Sequence, residues 1–210
     1  MNCLTNYLEM FLKIFEVTMD TVYALDTNSY AMLFQRPSPI ALSNLESKLS
    51  NNGGIFFSLP EIVSMEIHSV LGKYRRGGSK TGREKCPRKI FENEDVSICS
   101  NTFAVDTRPK LKEKVYKGML KLLKDIENGN GDIKSTSIPL TSEAIEAGKK
   151  ILIQYSHRFS FGSHDALVAG MIYIERLKGN NIVLVTSDKS LKAVCREENI
   201  CVFDPNMLEG

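Results

Sequence analysis

The sequence predicts an α/β fold in which a parallel sheet is flanked by helices on both faces, as a three-layer α/β/α arrangement. Short runs of apolar and β-branched residues, which favour strands, alternate along the chain with segments whose apolar residues recur at helical spacing. The segments between successive strands are long enough to form crossover helices, which join parallel strands. A chain of 210 residues with 42% hydrophobic residues is also long enough to build one such core.

The first part of the chain alternates strands and helices up to a basic segment. Asp26 follows the apolar run "VYAL", and Pro60 ends the run "GIFFSLP", so each run is predicted to be a short strand. The predicted elements are a strand at about 21–26, helices at 28–34 and 40–49, a strand at 54–60 and a helix at 61–74. The glycine-rich stretch "RRGGSKTGREKCPR" is predicted to be a basic loop, with a strand near 95–99 after it.

The second part of the chain continues the same alternation. A helix within 108–131 is predicted to end at its glycines, Thr141 or Ser142 is a candidate cap for the next helix, and Ser163 is one for the helix after it. The predicted elements are strands at 132–140, 182–186 and 200–204, and helices at 141–156, 163–181 and 187–199.

Residues 1–20 form an extension before the first strand. Leu4, Leu8, Phe11 and Phe15 have the spacing of a helix, but charged residues interrupt the segment. We therefore expect neither a signal peptide nor a membrane helix, and we place the protein in the cytoplasm. Five scattered cysteines agree with this, since such a pattern is typical of reduced thiols.

The charge is distributed unevenly along the chain. Residues 73–124 hold 15 Lys or Arg against 6 Asp or Glu, a balance of +9, whereas the whole chain carries only +2, which leaves −7 for the remainder. A basic segment on an acidic body is the pattern expected when one part binds a cation and another binds a polyanion. A solvated charged loop is the alternative explanation.

Four acidic residues occupy positions that a parallel sheet could bring together. Asp26 and Asp188 each follow an apolar run, and the carboxyl ends of parallel strands meet at one edge of the sheet. Asp165 opens an apolar helix, and Glu66 lies next to the apolar face of the helix after Pro60. Helix capping and the helix dipole could explain each Asp taken singly. Glu66 is harder to explain in this way, because charged side chains are seldom buried without a partner.

Taken together, these acids predict a cation site. Crowded carboxylates repel each other and hold raised pKa values unless a cation neutralises them. An all-oxygen site suits Mg²⁺ or Mn²⁺, and these cations assist the displacement reactions of phosphate esters.

Four motifs resemble, in the same order, those of the PIN-domain ribonucleases, especially their VapC-like toxin branch. They are "ALDTN" (24–28), "LPEIVSMEI" (59–67), "HDALVAG" (164–170) and "LVTSDKSL" (184–191). The resemblance covers about 21–75 and 133–205. It implies a PIN-like parallel sheet flanked by helices and a Mg²⁺- or Mn²⁺-dependent endonuclease that hydrolyses RNA.

The resemblance also assigns roles to particular residues. The acids implied to bind the metal and to act in catalysis are Asp26, Glu66, Asp165 and Asp188, of which the last often acts more indirectly. The polar residues implied to orient the site are Asn28 and Thr186. RNA is the implied partner, and the toxin branch adds a cognate antitoxin protein. A homodimer is left open.

The chain departs from compact toxins in two places. It carries the extension at 1–20, and its single PIN-like domain at 21–210 contains a basic, partly helical insertion at about 75–132. The insertion leaves open whether the protein is a toxin or a processing nuclease with its own specificity element.

The insertion contains a row of lysines at alternating spacings of four and three. An amphipathic helix with such a row would follow a phosphate backbone, although a solvated helix face would show the same spacing. The row consists of Lys110, Lys114, Lys117, Lys121 and Lys124. The predicted RNA-binding residues are Arg75, Arg76, Lys114, Lys117 and Lys121.

Two other functions are compared with the ribonuclease. A haloacid-dehalogenase-type phosphatase needs a second Asp two residues after the first, and that position is Asn28. A catalytically inert PIN-like module that binds RNA or protein would normally lack one of the four acids, and all four are present. A zinc site at Cys86 and Cys99 is disfavoured, since no suitably spaced Cys or His pair completes it.

Overall fold

The computed structural model describes residues 21–35, 40–51, 54–92, 95–108 and 110–207. The helix predicted for residues 1–20 lies outside these ranges. Within them, no helix combines the length and the apolar character needed to cross a membrane.

The described residues form a central sheet of strands β1 (Val22–Leu25), β2 (Ser50–Asn51), β3 (Gly54–Pro60), β6 (Ile133–Ile138), β7 (Ile182–Val185) and β8 (Val202–Phe203). Five of these strands are parallel, in the order β6-β3-β1-β7-β8. The sixth, the two-residue β2, runs antiparallel to the start of β3. The predicted parallel α/β sheet is therefore confirmed.

Helices flank this sheet, as predicted. The chain steps from β1 through β3 to β6 in one direction and from β7 to β8 in the other. Right-handed crossovers place the helices of the two directions on opposite faces. Across all the residues that the structure describes, in whichever part of the fold, the helices are α1 (Thr27–Met32), α2 (Ile40–Leu49), α3 (Glu61–Arg76), α4 (Glu113–Glu127), α5 (Ser142–Tyr155), α6 (Ser163–Leu177) and α7 (Lys189–Glu197).

The chain divides into two compact units. The first contains the whole parallel sheet, and the second consists of Glu66–Lys124. The second unit includes an antiparallel hairpin of two long strands, β4 (Gly78–Glu92) and β5 (Asp95–Arg108). Within this unit Arg75 donates to the carbonyl of Leu111 at 3.2 Å, and the Leu111 N–H donates to the carbonyl of Tyr74 at 3.0 Å. These bonds join the end of α3 to the residues that precede α4.

The hairpin corrects the prediction of a basic loop at 75–88 and extends the short strand predicted at 95–99. The loop prediction followed from the glycines and the proline of this segment. A register shift between Lys85 and Lys89 interrupts the regular pairing around Pro87. Because proline cannot donate to a ladder, it is tolerated at such an irregularity.

Two glycines set the packing of α5 against α6. A Cβ atom on Gly170 would lie 2.6 Å from the backbone oxygen of Ala144 and 2.6 Å from the backbone nitrogen of Gly148. A Cβ atom on Gly148 would lie 2.9 Å from the oxygen of Ala166. The two helix backbones therefore touch at this crossing, which no larger residue could occupy without a shift.

Candidate active site

The candidate site lies where the strand order of the parallel sheet reverses. The switch point falls between β1 and β7, because the crossovers leave these two central strands in opposite directions. Leu25 pairs with Val185, so Asp26 and Thr186 are the residues that emerge at the carboxyl edge. Open α/β sheets bind their ligands in the crevice at such a point.

Asp26 is a buried acid at this edge, with only 5% of its surface exposed. It caps α1, and its Oδ1 atom accepts a hydrogen bond from the Ser29 backbone N–H at 2.7 Å. Burial raises the pKa of the Asp26 carboxyl, hydrogen bonds from Thr186 and Ser29 act in the opposite direction, and the charge of Asp188 raises it further. Asp26 therefore caps a helix, which the sequence analysis gave as the alternative to a metal-binding role. It is also a desolvated acid near a second acid, Asp188.

Thr186 links the two acids. It is fully buried, and its side chain is hydrogen-bonded to the side chain of Asp26. Its Oγ1 atom accepts a hydrogen bond from the backbone N–H of Asp188 at 3.1 Å. The predicted orienting role of Thr186 therefore has a geometric basis, because one hydroxyl contacts the groups that carry both acids.

Asp188 is exposed and caps α7, where its Oδ1 atom accepts a hydrogen bond from the Leu191 N–H at 2.7 Å. The capping hydrogen bond uses one of the two carboxylate oxygens of Asp188. The Asp188 charge acts on the Asp26 carboxyl, so the two acids lie near each other at the ends of β1 and β7. The role of Asp188 in metal binding and catalysis stays a prediction.

Asp204 supports the loop that carries Asp188, and the sequence analysis missed it. Its Oδ1 atom accepts a hydrogen bond from the Ser187 hydroxyl at 2.6 Å, and Lys192 forms an ion pair with its other oxygen. Burial acts to raise the pKa of Asp204, but the hydrogen bonds from Lys192 and Ser187 hold it below its ordinary value. The signal in the sequence is that Asp204 directly follows an apolar strand, as Asp26 does.

Ser29 is a second missed residue. Only 1% of its surface is exposed, and its hydroxyl donates to the carbonyl of Val185 at 3.1 Å. This bond joins α1 to the end of β7 and so fixes the distance between the two strand ends. The sequence analysis treated the segment after Asp26 only as a turn and a helix.

Asp165 lies in the first turn of α6, where its Oδ2 atom is 3.4 Å from the Gly162 backbone nitrogen that donates to it. The predicted cap, Ser163, is wrong, because the N-cap residue is Gly162. Asp165 Oδ1 also lies 3.9 Å from the Nδ1 atom of His164. Its place among the metal-binding acids stays a prediction.

The remaining predicted residues fall into two groups. Asn28 is exposed in the first turn of α1, two residues beyond Asp26, and its orienting role stays a prediction. Glu66 is half-buried on α3 and belongs to the second unit, so its approach to the acids of the first unit also stays a prediction.

The predicted RNA-binding residues of the second unit are exposed, apart from Arg75. Lys114, Lys117 and Lys121 lie on the surface of α4, whereas Lys110 precedes that helix. Lys117 pairs with Glu113 at 2.8 Å. The Arg75 side chain is 33% exposed and is engaged with Leu111 and Glu113, so a structural role competes with RNA binding there. Arg76 is exposed at the end of α3.

The described residues contain no group of three or more His, Cys, Asp or Glu side chains placed to hold a metal ion. The structure brings together two acids, Asp26 and Asp188. This pair still suits Mg²⁺ or Mn²⁺, because such ions are commonly held by one or two carboxylates with water and substrate phosphate completing the shell. A cation there would offset both the burial of Asp26 and the repulsion from Asp188.

Comparison of the sequence with protein-family models and with curated proteins gave no match in either case. The resemblance to PIN-domain ribonucleases therefore depends on the four motifs and on the compatible fold.

Proposed function

We propose that this protein is a metal-dependent endoribonuclease that hydrolyses RNA phosphodiester bonds. The observation that supports the proposal most is the buried, charge-repelled carboxyl of Asp26 beside Asp188 at the switch point of the sheet. Groups with perturbed pKa values in a crevice are common at functional sites. Together with the ordered motifs, this favours the nuclease over the other functions compared.

The residues of the chain have separable tasks in this proposal. Asp26 and Asp188 hold a Mg²⁺ or Mn²⁺ ion, and Thr186 and Ser29 fix the Asp26 carboxylate in position. The bound metal would activate water and stabilise charge on the phosphate oxygens. The family resemblance implies that Asp165 adds a carboxylate to this cation and that Asn28 orients the site, and it assigns a metal-binding role to Glu66 as well.

The purified protein should cut RNA only when Mg²⁺ or Mn²⁺ is present, leaving 5′-phosphate and 3′-hydroxyl ends. The reason is that the acidic edge repels a phosphate until a cation neutralises it. A labelled RNA incubated with each metal, and with excess EDTA, tests this. Full cutting in EDTA would exclude the metal mechanism, and RNA binding without cutting in any metal would favour the inert PIN-like module.

The exposed lysines of α4 are proposed to contact the phosphates of RNA. Changing Lys114, Lys117 and Lys121 to Glu should weaken RNA binding and reduce the slope of its salt dependence, by about 0.7 for each single-strand phosphate that is no longer neutralised. Fluorescence anisotropy over a range of salt concentrations measures both quantities. The matched control changes the exposed Arg158, Lys178 and Arg196 to Glu, which alters the net charge equally. If both variants change the RNA affinity and the salt slope equally, the α4 lysines act only through their general surface charge.

We place this activity in the cytoplasm. Among the described cysteines, Cys195 is buried and Cys201 is exposed, and both are free thiols, as a reducing compartment allows. A role as the toxin of a toxin–antitoxin pair belongs to the same proposal. Co-expression with the protein encoded by the neighbouring gene tests it, since a cognate antitoxin should suppress both RNA cutting and growth arrest.

A further inference from the structure

A long groove runs along the outer side of α5 and α6, on a part of the first unit that the proposed site does not use. It encloses about 600 Å³ and extends from Ser142 at one end to Gln154 at the other. Twelve helical residues span about 18 Å, which is more than three turns of a helix. Ile151 and Ile174 line it, and Leu177 on its wall is 67% exposed. An apolar lining of this length matches the groove of a helix-binding protein.

The rim of the groove is acidic. Glu143, Glu146 and Glu198 line it together with one lysine, Lys150, and Lys149 beside the groove pairs with Glu146 at 2.6 Å, which leaves an excess of acids. Hydrogen bonds to the Glu143 carboxylate, first from its own backbone, lower the pKa of Glu143, and the bond from Lys149 lowers the pKa of Glu146. Glu143 and Glu146 therefore stay ionised at neutral pH. An apolar groove with an acidic rim is complementary to a helix that carries apolar residues between lysines.

The exposed face of α4 has this chemistry. Val115 is 48% exposed and Leu122 is 39% exposed, and their spacing of seven places them on one side of the helix. The exposed lysines 114, 117 and 121 flank them. Gly118 lies between the two apolar residues, and a Cβ atom added there would meet nothing within 4 Å.

Gly118 gives a further reason to expect an approaching helix. A glycine in a helix interior costs about 1 kcal/mol relative to alanine, and none of the described groups lies close enough to Gly118 to require one. Small residues let helices approach each other closely. Gly118 therefore leaves room for a partner helix to approach the exposed face of α4 closely.

We infer that α4 of one copy of the protein binds in the acid-rimmed groove of a second copy. Residues 1–20 are a poorer occupant, because Glu9, Glu16 and Asp20 outweigh Lys13 and the groove is itself acidic. Reciprocal binding between two copies gives a closed dimer, whereas one-way binding gives longer assemblies. The inference concerns self-association and does not depend on the ribonuclease proposal. Because the same lysines are proposed to contact RNA, RNA should compete with self-association.

Charge reversal on each side of the contact tests the inference. In sedimentation velocity without RNA, the parent should associate as its concentration rises to about 100 µM. The variants Glu143→Lys/Glu146→Lys and Lys117→Glu/Lys121→Glu should each dissociate at least about tenfold more readily, since close charged pairs across an interface couple by about 1.5 kcal/mol or more. An equimolar mixture of the two variants should associate again, because the reversed charges are complementary. The control Glu46→Lys/Asp132→Lys, at exposed positions outside the groove, should associate as the parent does.

A variant with a bulkier side chain tests the same contact without changing any charge. Gly118→Gln should keep the helix, since glutamine is a good helix former, while its side chain blocks close approach. Circular dichroism confirms the fold, and loss of association is the expected result. A parent that stays monomeric at about 100 µM would overturn the inference. Two other results would also overturn it. The first is that both charge-reversal variants associate as strongly as the parent, and the second is that an equimolar mixture of the two variants does not associate. In either case the contact between α4 and the groove would not be the one that joins the copies.

Discussion

Replacing Asp26 by Asn is expected to reduce RNA cleavage by more than about 100-fold while the protein stays folded. The amide cannot supply the negative charge that the cation needs, and loss of even an outer partner of a metal ligand commonly costs 10- to 100-fold. Asn is as good a helix cap as Asp, so the bond from the Ser29 N–H to position 26 can be retained. Cleavage of a labelled RNA under saturating Mg²⁺ measures the effect.

The same variant should be more stable than the parent at neutral pH without metal. In the folded parent the pKa of Asp26 lies above its ordinary value of 3.8, so the folded state binds more protons than the unfolded state between these two pKa values. The stability of the parent therefore falls as the pH rises through that window, and the Asn variant avoids this loss. Urea unfolding at acid and neutral pH measures the difference.

Asp132→Asn is the matched control for this variant, since Asp132 is exposed. It should leave cleavage and the pH dependence of stability unchanged. Full activity of Asp26→Asn, or of Asp165→Asn, would mean that the reaction takes place at a different site.

Replacing Gly170 by Ala is expected to destabilise the first unit by about 3 kcal/mol, near the upper end of the usual cost of overpacking. The added methyl group would overlap the backbones of Ala144 and Gly148, each 2.6 Å away, and neither backbone atom can rotate aside. The melting temperature should fall by about 2–4 °C for each kcal/mol of destabilisation. Differential scanning calorimetry without metal gives the value.

Gly72→Ala is the matched control, because a Cβ atom there would meet nothing within 4 Å in the interior of α3. It should raise the stability by about 0.5–1 kcal/mol, since the unfolded chain loses freedom and no contact is strained. A Gly170→Ala protein as stable as the parent would show that α5 and α6 do not touch at this crossing.

The sequence predicted the parallel sheet well because each of its strands is an apolar run with a definite end. Asp26, Pro60 and Thr186 mark those ends, and helical spacing in between is hard to mistake. Strand β4 was missed for the opposite reason. It gains its hydrogen bonds from β5, and its own sequence, with its glycines and Pro87, carries no alternating apolar pattern.

The candidate site was predictable only in part. Asp26 and Asp188 could be paired from the sequence, because residues that follow parallel strands share an edge of the sheet. Ser29 could not be assigned, since its importance comes from its bond to Val185, across 156 residues of sequence. Asp204 could be noticed because it follows an apolar strand, but its bond to Ser187 became visible only in the structure. The strand order that makes β1 and β7 neighbours likewise results from tertiary packing.

The central claim is that Asp26 and Asp188 form a binding site for a divalent cation, and Mn²⁺ binding tests it most directly. Titration of Mn²⁺ into the protein without RNA, followed by the decrease of the free-ion signal in electron paramagnetic resonance, compares the parent with Asp26→Asn and Asp132→Asn. The parent and Asp132→Asn are expected to bind Mn²⁺ equally, and Asp26→Asn at least about tenfold more weakly. Equal binding by the parent and Asp26→Asn, or no binding by the parent, would contradict the claim.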